Sequence, residues 1–325
     1  MSRFTQAAAT MHTLSLASME EASLLGVRDA DIDHLLLALT IDADTGGQVL
    51  RSMGVGLDAA RTAVATQHSA QLELVGVTSG DDVPGRIVFH ETTGYEWTDR
   101  ALAVLKDASS GDRDGDSAAV LRSLTSEPSG LIHEILQRLG VDPEALTARL
   151  DELQGLRLSP RTSPDAHALT GSRSVFVPAT LDEVWALLSS AARIPEWDQG
   201  IATIEADDTM ADDWGAETAT MTPDGKPLRV KAPFVRQRVH LVQREERTRI
   251  QWRFTYPDAA RSNPRLVTFE LEHAAGGIQL RVTLTWETRR RPGRRLVRVV
   301  LKPLYRFIVF IQLAQIASGI TRVFR

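Results

Sequence analysis

The sequence predicts two folds in one chain: an all-α N-terminal region built from a repeated helical unit, and an α+β C-terminal region in which an antiparallel sheet grips a long final helix. Three observations carry this reading. VLRSMGVG at 49–56 returns as ILQRLGVD at 135–142, a Ser-, Pro- and Gly-rich run occupies 155–171, and beyond it the apolar spacing changes from helical to alternating. The expected boundaries are 1–154, a linker at 155–171, and 172–325, in keeping with about 100–200 residues per domain.

The repeat is read from its spacing. Val49, Leu50 and Met53 form a helical stripe that stops at Gly54; Ile135, Leu136 and Leu139 repeat it and stop at Gly140. Asp142-Pro143-Glu144 then opens another helix with a cap, a first-turn proline and an early acid, and Gly56-Leu57-Asp58 holds the same place in the first copy. Upstream, RFTQAAATMHTLSLASMEEASLLG predicts a helix ended by Gly26, and DIDHLLLALT a second one starting at Asp31. EWTDRALAVL and SAAVLRSL are their counterparts. One copy alone leaves an apolar face exposed, so the two are expected to pack face to face. Between them, QLELVGVTSGDDVPGRIVFHE predicts a hairpin.

The order FT, LA-x-x-EA, LG, an acid before His and LLLAL, then VLRSMGV resembles the double Clp repeat of the Clp ATPase N-terminal domain, over roughly 3–67 and 95–153. The resemblance implies a protein-protein interaction module that receives substrates or adaptors, and in ClpC-type members phosphorylated arginines. Carried over by position, the phosphoarginine or peptide site falls on Thr5 and Asp33; in the second copy Thr98 remains but the acid position is Ala118. The plainer reading of Asp33 is an acid favoured by the helix dipole, and of His34 a packed histidine. No ATPase follows: the chain's Gly225-Lys226 is succeeded by Pro227 and no phosphate-binding loop is present.

The C-terminal elements follow in order. SRSVFVPA is a strand stopped by Pro178, and TLDEVWALL carries a capping box from Thr180 to Glu183. RIPEWDQG turns the chain into the runs IATIEA, GAETATM, PLRVKA, VRQRVHLVQ, TRIQWRFTY, RLVTFELEH and IQLRVTLTW, a meander with turns at Asp224-Gly225 and Gly276-Gly277. A long helix starts near Leu296. This pattern, with ATLDEVWALLSSAARIPEWDQG, resembles the helix-grip SRPBCC superfamily of START-like carriers and polyketide cyclase/dehydrase proteins over 172–325.

Strand alternation places Ile278, Leu280, Val282, Leu284 and Trp286 on one face, with Ile250, Trp252, Phe254, Val267, Phe269 and Leu271 joining it. Trp252, Phe254, Phe269 and Trp286 are the expected walls of a cavity for an apolar small molecule, or else core filling. The only titratable group expected on this face is His273, and no acid-base pair is evident, so no catalytic residue is assigned.

Composition limits the rest. The chain has no cysteine, which excludes disulfides and thiolate metal sites, and neither a metal nor another cofactor is expected. Residues 1–160 carry 12 Lys+Arg against 24 Asp+Glu, and 161–325 carry 25 against 18. The acidic half argues against nucleic acid. With no signal peptide evident, the expected location is cytoplasmic. The uncharged stretch FIVFIQLAQIASGIT at 307–321 is short of the roughly 20 residues that a span needs, which leaves a grip helix or a basic membrane-surface helix. The expected role is a non-catalytic adaptor, decoy or sensor of a Clp protease system, with Clp components or their substrates as partners. The alternative is a polyketide cyclase-type enzyme carrying a recruitment domain.

Overall fold

The computed structural model describes residues 3–77, 96–111, 113–155, 169–205, 212–222, 225–259, 261–287 and 295–325. They fall into two compact units, 1–159 and 160–325.

The first unit contains α1 (Arg3–Leu24), β1 (Asp29–Ala30), α2 (Ile32–Thr40), α3 (Thr45–Ser52), α4 (Leu57–Leu74), β2 (Glu96–Trp97), α5 (Asp99–Ala108), α6 (Ser117–Thr125), α7 (Leu131–Arg138) and α8 (Pro143–Gly155). The duplication is visible at its stops. Gly54 and Gly140 both adopt positive φ, +84° and +71°, and the next residue closes each helix by the same long backbone bond, Val55 N–H to Leu50 O and Val141 N–H to Leu136 O. It is visible at its starts too: Asp31 caps α2 and Asp116 caps α6, and both caps sit in extended backbone.

Each repeat offers an apolar face that water would penalise, and the two faces form one core. Leu35, Leu36, Leu39 and Leu50 of the first copy join Leu121, Leu124, Ile132 and Ile135 of the second, all 0–1% exposed. Every residue of α2 is buried, so this helix is the centre of the unit. Burying each such Leu or Ile contributes roughly 1.5–3 kcal/mol. A two-residue parallel pairing, Asp29 with Glu96 and Ala30 with Trp97, links the segment before α2 to the segment before α5. The stretch QLEL does not form a strand: it continues α4 to Leu74, because Gln, Leu and Glu are good helix formers and the chain is first released at Gly76, φ +78°. The remainder of that expected hairpin lies outside the described residues.

The second unit contains β3 (Leu169–Val177), α9 (Leu181–Leu188), a 3-10 turn (Ala191–Arg193), α10 (Ile194–Trp197), β4 (Ile201–Glu205), β5 (Asp213–Thr218), a 3-10 turn (Ala232–Phe234), β6 (Arg236–Glu245), β7 (Arg249–Thr255), β8 (Arg265–Ala274), β9 (Gly277–Trp286) and α11 (Arg295–Val323). The strands form one antiparallel sheet in the order β3-β9-β8-β7-β6-β5-β4. With α11 packed on it, this is the helix-grip arrangement. The Thr180–Glu183 capping box is formed, and Gly276, φ +74°, turns β8 into β9.

Two expectations need correction. β3 begins at Leu169, inside the stretch read as linker. PLRVKA is no strand: only an isolated bridge joins Met221 to Pro227, because its side chains are exposed on both faces and nothing buries one of them.

Two glycines seat the final helix. A Cβ on Gly171 would lie 2.6 Å from Val309 Cγ1, so β3 and α11 approach more closely there than a side chain allows. A Cβ on Gly319 would lie 2.3 Å from the Trp197 carbonyl oxygen, which is backbone and cannot swing aside. Helix propensity alone favours Ala over Gly by about 1 kcal/mol, whereas overpacking costs about 1–3 kcal/mol. Gly319→Ala is therefore expected to lower the melting temperature of the second unit by several degrees in a thermal scan; a rise would show that this contact is not tight.

Candidate functional site

The inward face of the sheet alternates as expected, with Ile250, Trp252, Phe254, Val267, Phe269, Leu280, Val282 and Leu284 all at 0–1% exposure. A side chain bordering a void that admits water keeps some accessible surface, and Trp252 and Phe269 keep none. These two and Phe254 are packed core. Phe269 meets Trp197 edge-on with centroids 5.1 Å apart, Trp252 meets Trp214 at 5.6 Å, and the Trp252 indole donates to the Leu188 carbonyl at 2.9 Å. Trp286 is only partly buried, and its indole donates to Gln312 of α11 at 3.3 Å. His273, paired with Ile278 at the end of β8, continues the inward series but is exposed.

A charged pair that the sequence reading missed lies on this face. Register places Trp286, Arg265, Phe254, Val239 and Trp214 in one cross-strand row. Arg265 sits above the Phe254 ring, 4.2 Å from its centroid, and forms an ion pair with Asp198, the residue that ends α10. The Asp198 side chain is 5% exposed and that of Arg265 14%. Asp198 also accepts the Gly200 amide at 3.0 Å, so both its oxygens are engaged. Tyr256, next after the buried series 250, 252 and 254, lies near this pair, and burial pushes its phenol up. Counting the inward series of β8 back from Phe269 by twos reaches Arg265; that parity was the available signal. The end of the sheet carrying Trp286, Arg265 and Tyr256 therefore combines aromatic surface with a cation held by a carboxylate. It can accept an apolar body and an anionic or hydrogen-bonding head.

In the first unit, Thr98 caps α5, whereas Thr5 lies inside α1, and the Thr5 side chain is outside the description. Asp33 is 1% exposed. Its Oδ1 accepts the His34 amide at 2.8 Å and lies 2.9 Å from His34 Nδ1, and its Oδ2 lies 3.0 Å from His68 Nε2 on α4. Burial pushes this carboxyl up, but the bonds from His34 and His68 outweigh it and hold it well below the usual carboxylate range. The hydrogen bond to Asp33 raises His68. Nδ1 of His34 also accepts the Asp31 amide at 3.1 Å in the capping box and can serve only one of the two neighbours at a time. Asp33 is thus a clamped buried acid, reachable by a guanidinium only if the half-exposed His68 leaves it. Ala118, its counterpart, is fully buried.

Nearby, Asp31 is held by Thr98 at 2.6 Å and by the Arg100 fork, and Glu21 by the Arg61 fork at 2.9 Å. Asp42, at the other end of α2, is pushed up to about 7 by burial and by Asp44. Arg51 donates to the Thr40 and Asp42 carbonyls at 2.8 and 2.7 Å. An open groove of about 530 Å³ runs between α4 and α7, with buried Gln67 joined to Glu134 and Arg138 on its floor. Among the described residues, no cluster of acids and histidines is arranged to hold a metal ion, and no helix is long and apolar enough to cross a membrane.

Residues 168–311 match the family described as Polyketide cyclase / dehydrase and lipid transport. Solved structures similar to parts of the chain include a START superfamily protein from Mycobacterium smegmatis, 13% identical over 48% of this chain and 96% of that one with a TM-score of 0.33. Another is the N-terminal domain of the caseinolytic protease associated chaperone ClpD from Arabidopsis thaliana, 21% identical over 48% of this chain and 94% of that one with a TM-score of 0.32. No curated protein matches the chain.

The opposite shifts at the two ends of α2 give separable pH dependences. Asp33 is lowered, so its contribution is present above about pH 4 and fades as pH falls below that. His68 is raised, so its contribution is present below about pH 6.5 and lost as pH climbs through its higher folded value. Asp42 is raised, so its contribution is present below about pH 4 and lost as pH rises towards 7. Urea unfolding followed across pH is expected to show that Asp42→Asn flattens the decline between about pH 4 and 7, while His68→Gln flattens the decline above it. Parallel curves for wild type and both variants would refute these assignments.

Proposed function

We propose that the protein is a two-part binding protein. Its second unit takes an amphipathic small molecule at the Arg265 end of the sheet without transforming it. Its first unit docks a component or a substrate of a Clp-type protease, so that the chain serves as adaptor, decoy or sensor. The observation that carries the ligand reading is the Asp198–Arg265 pair: a cation on an otherwise apolar inner row, flanked by Trp286 and Phe254. A carboxylate head can replace Asp198 on Arg265 while the tail reaches apolar surface. The match at 168–311 to a family whose description includes lipid transport supports this.

The same pair favours a second reading, a cyclase or dehydrase, since a buried carboxylate is what proton transfer needs. Against it, both Asp198 oxygens are occupied by Arg265 and the Gly200 amide, which positions the carboxylate as a counter-ion.

Breaking one half of a buried pair destabilises on its own account, so the test uses Arg265→Met together with Asp198→Asn. Tryptophan fluorescence titration with a long-chain fatty acid is expected to show roughly tenfold to hundredfold weaker binding in the double variant, the value of a hydrogen bond to a charged group. Binding of the matching fatty alcohol should change little. Equal losses for both would remove Arg265 from the head site, and turnover of a polyketide to a cyclised product would establish the enzyme reading.

For the first unit, phosphoarginine is the probe, with Thr5 and Asp33 marking the proposed site. One site per chain is expected by calorimetry, lost in Asp33→Asn and strengthened in His68→Ala, which uncovers the carboxylate. Two equivalent sites, or indifference to Asp33→Asn, would displace the site from Asp33.

A further inference from the structure

Between β5 and β6 the chain makes an excursion, described at residues 219–222 and 225–235. Its described residues are held by hydrogen bonds. Thr218 closes its base, with its amide donating to the Val235 carbonyl at 2.8 Å and its hydroxyl to that of Phe234 at 2.6 Å. Phe234 meets Tyr256 edge-on at 5.1 Å. Further out, the Leu228 amide donates to Thr220 and the Thr222 amide to Lys226, each at 2.8 Å, and Gly225 turns at φ +80°. What this excursion presents to water is unusual. Met221 is 61% exposed, Leu228 45% and Phe234 36%, and Lys226, Arg229 and Lys231 are exposed between them. The sequence of the excursion holds only one acid, Asp224.

We propose that this excursion docks the second unit on an anionic lipid bilayer. An acidic protein surface would meet the cations and leave the apolar tips without a hydrocarbon environment, whereas an anionic bilayer supplies both, head groups for the cations and acyl chains for Met221, Leu228 and the exposed edge of Phe234. Phe234 touches Tyr256, which neighbours the Arg265 pair, so the docked face lies at the end of the sheet proposed to take the ligand. The inference does not depend on that ligand reading, because vesicle binding is measured without ligand.

The test uses the full chain and vesicles of phosphatidylcholine with and without phosphatidylglycerol. Sedimentation with the mixed vesicles and none with the neutral ones is expected, and binding should fall with added salt. Arg229→Gln and Lys231→Gln should each weaken binding on the order of fivefold, as basic groups near a charged bilayer contribute roughly 1 kcal/mol each. Leu228→Ser should weaken it in the same sense. The chain contains no cysteine, so Leu228→Cys gives a single attachment point for a polarity-sensitive dye. Its emission should shift to the blue on the mixed vesicles, while a dye at Leu102→Cys in the first unit should not respond. No vesicle binding, or binding unchanged in these exposed-surface variants, overturns the proposal. Binding to soluble polyglutamate but not to vesicles would assign the surface to an acidic protein and overturn it equally.

Discussion

A carboxylate withdrawn from water is tolerated only with a donor in place, and this requirement decides where the elements of both units lock. Glu21 on α1 meets Arg61 on α4, Asp31 before α2 meets Arg100 on α5, Asp33 on α2 meets His68 on α4, and Asp198 after α10 meets Arg265 on β8. Each pair spans two elements that are distant in sequence. The apolar contacts around them would permit small slides, since leucine packs acceptably in several registers. The two-pronged guanidinium pairs, Arg61 on Glu21 and Arg100 on Asp31, do not. Hydrophobic burial thus supplies the gross stability, and the pairs select one arrangement from those that burial alone would allow.

The repeats show how differently two copies of one design use this. Their stops are the same to the bond, Gly54 with Val55 and Gly140 with Val141. Their starts agree in the capping position of Asp31 and Asp116. The interiors differ: where the first copy carries Asp33 and must surround it with histidines, the second has Ala118 and needs nothing. The copies therefore share a scaffold and divide the chemistry. Asp33, His68 and Asp42 belong to the first copy, while the second has its own lowered acid, Asp107, held by Ser123 and Arg113.

Most of the architecture was legible because it rests on local rules. The glycine stops, the Thr180–Glu183 box and the period-2 rows of β7, β8 and β9 each involve residues within a few positions of one another. The failures fall where local and distant demands differ. Residues 71–74 alternate like a strand but are carried on by the helix preceding them, and 227–232 alternate with no buried side to alternate against. The candidate sites were less legible still. Asp33 stands out in the sequence only as an acid in the first turn of a helix, and its partner His68 lies 35 positions on, where only the fold brings them together. Arg265 was within reach of parity counting, but its counter-ion Asp198 comes from another element and no sequence period points to it.

The seating of α11 has a consequence for how this chain can vary. Its packing is fixed at two places, Val309 and Leu313 against Gly171, and Gly319 against the Trp197 carbonyl. Each residue of a helix advances it by about 100°. One residue gained or lost between Val309 and Gly319 therefore turns one anchor away from its seat while the other stays, and no side-chain substitution restores both. Length changes in this helix are confined to the segments before Val309 and after Gly319, and the spacing of these anchors is the part of the helix that related sequences can be aligned on even where every side chain between them has changed.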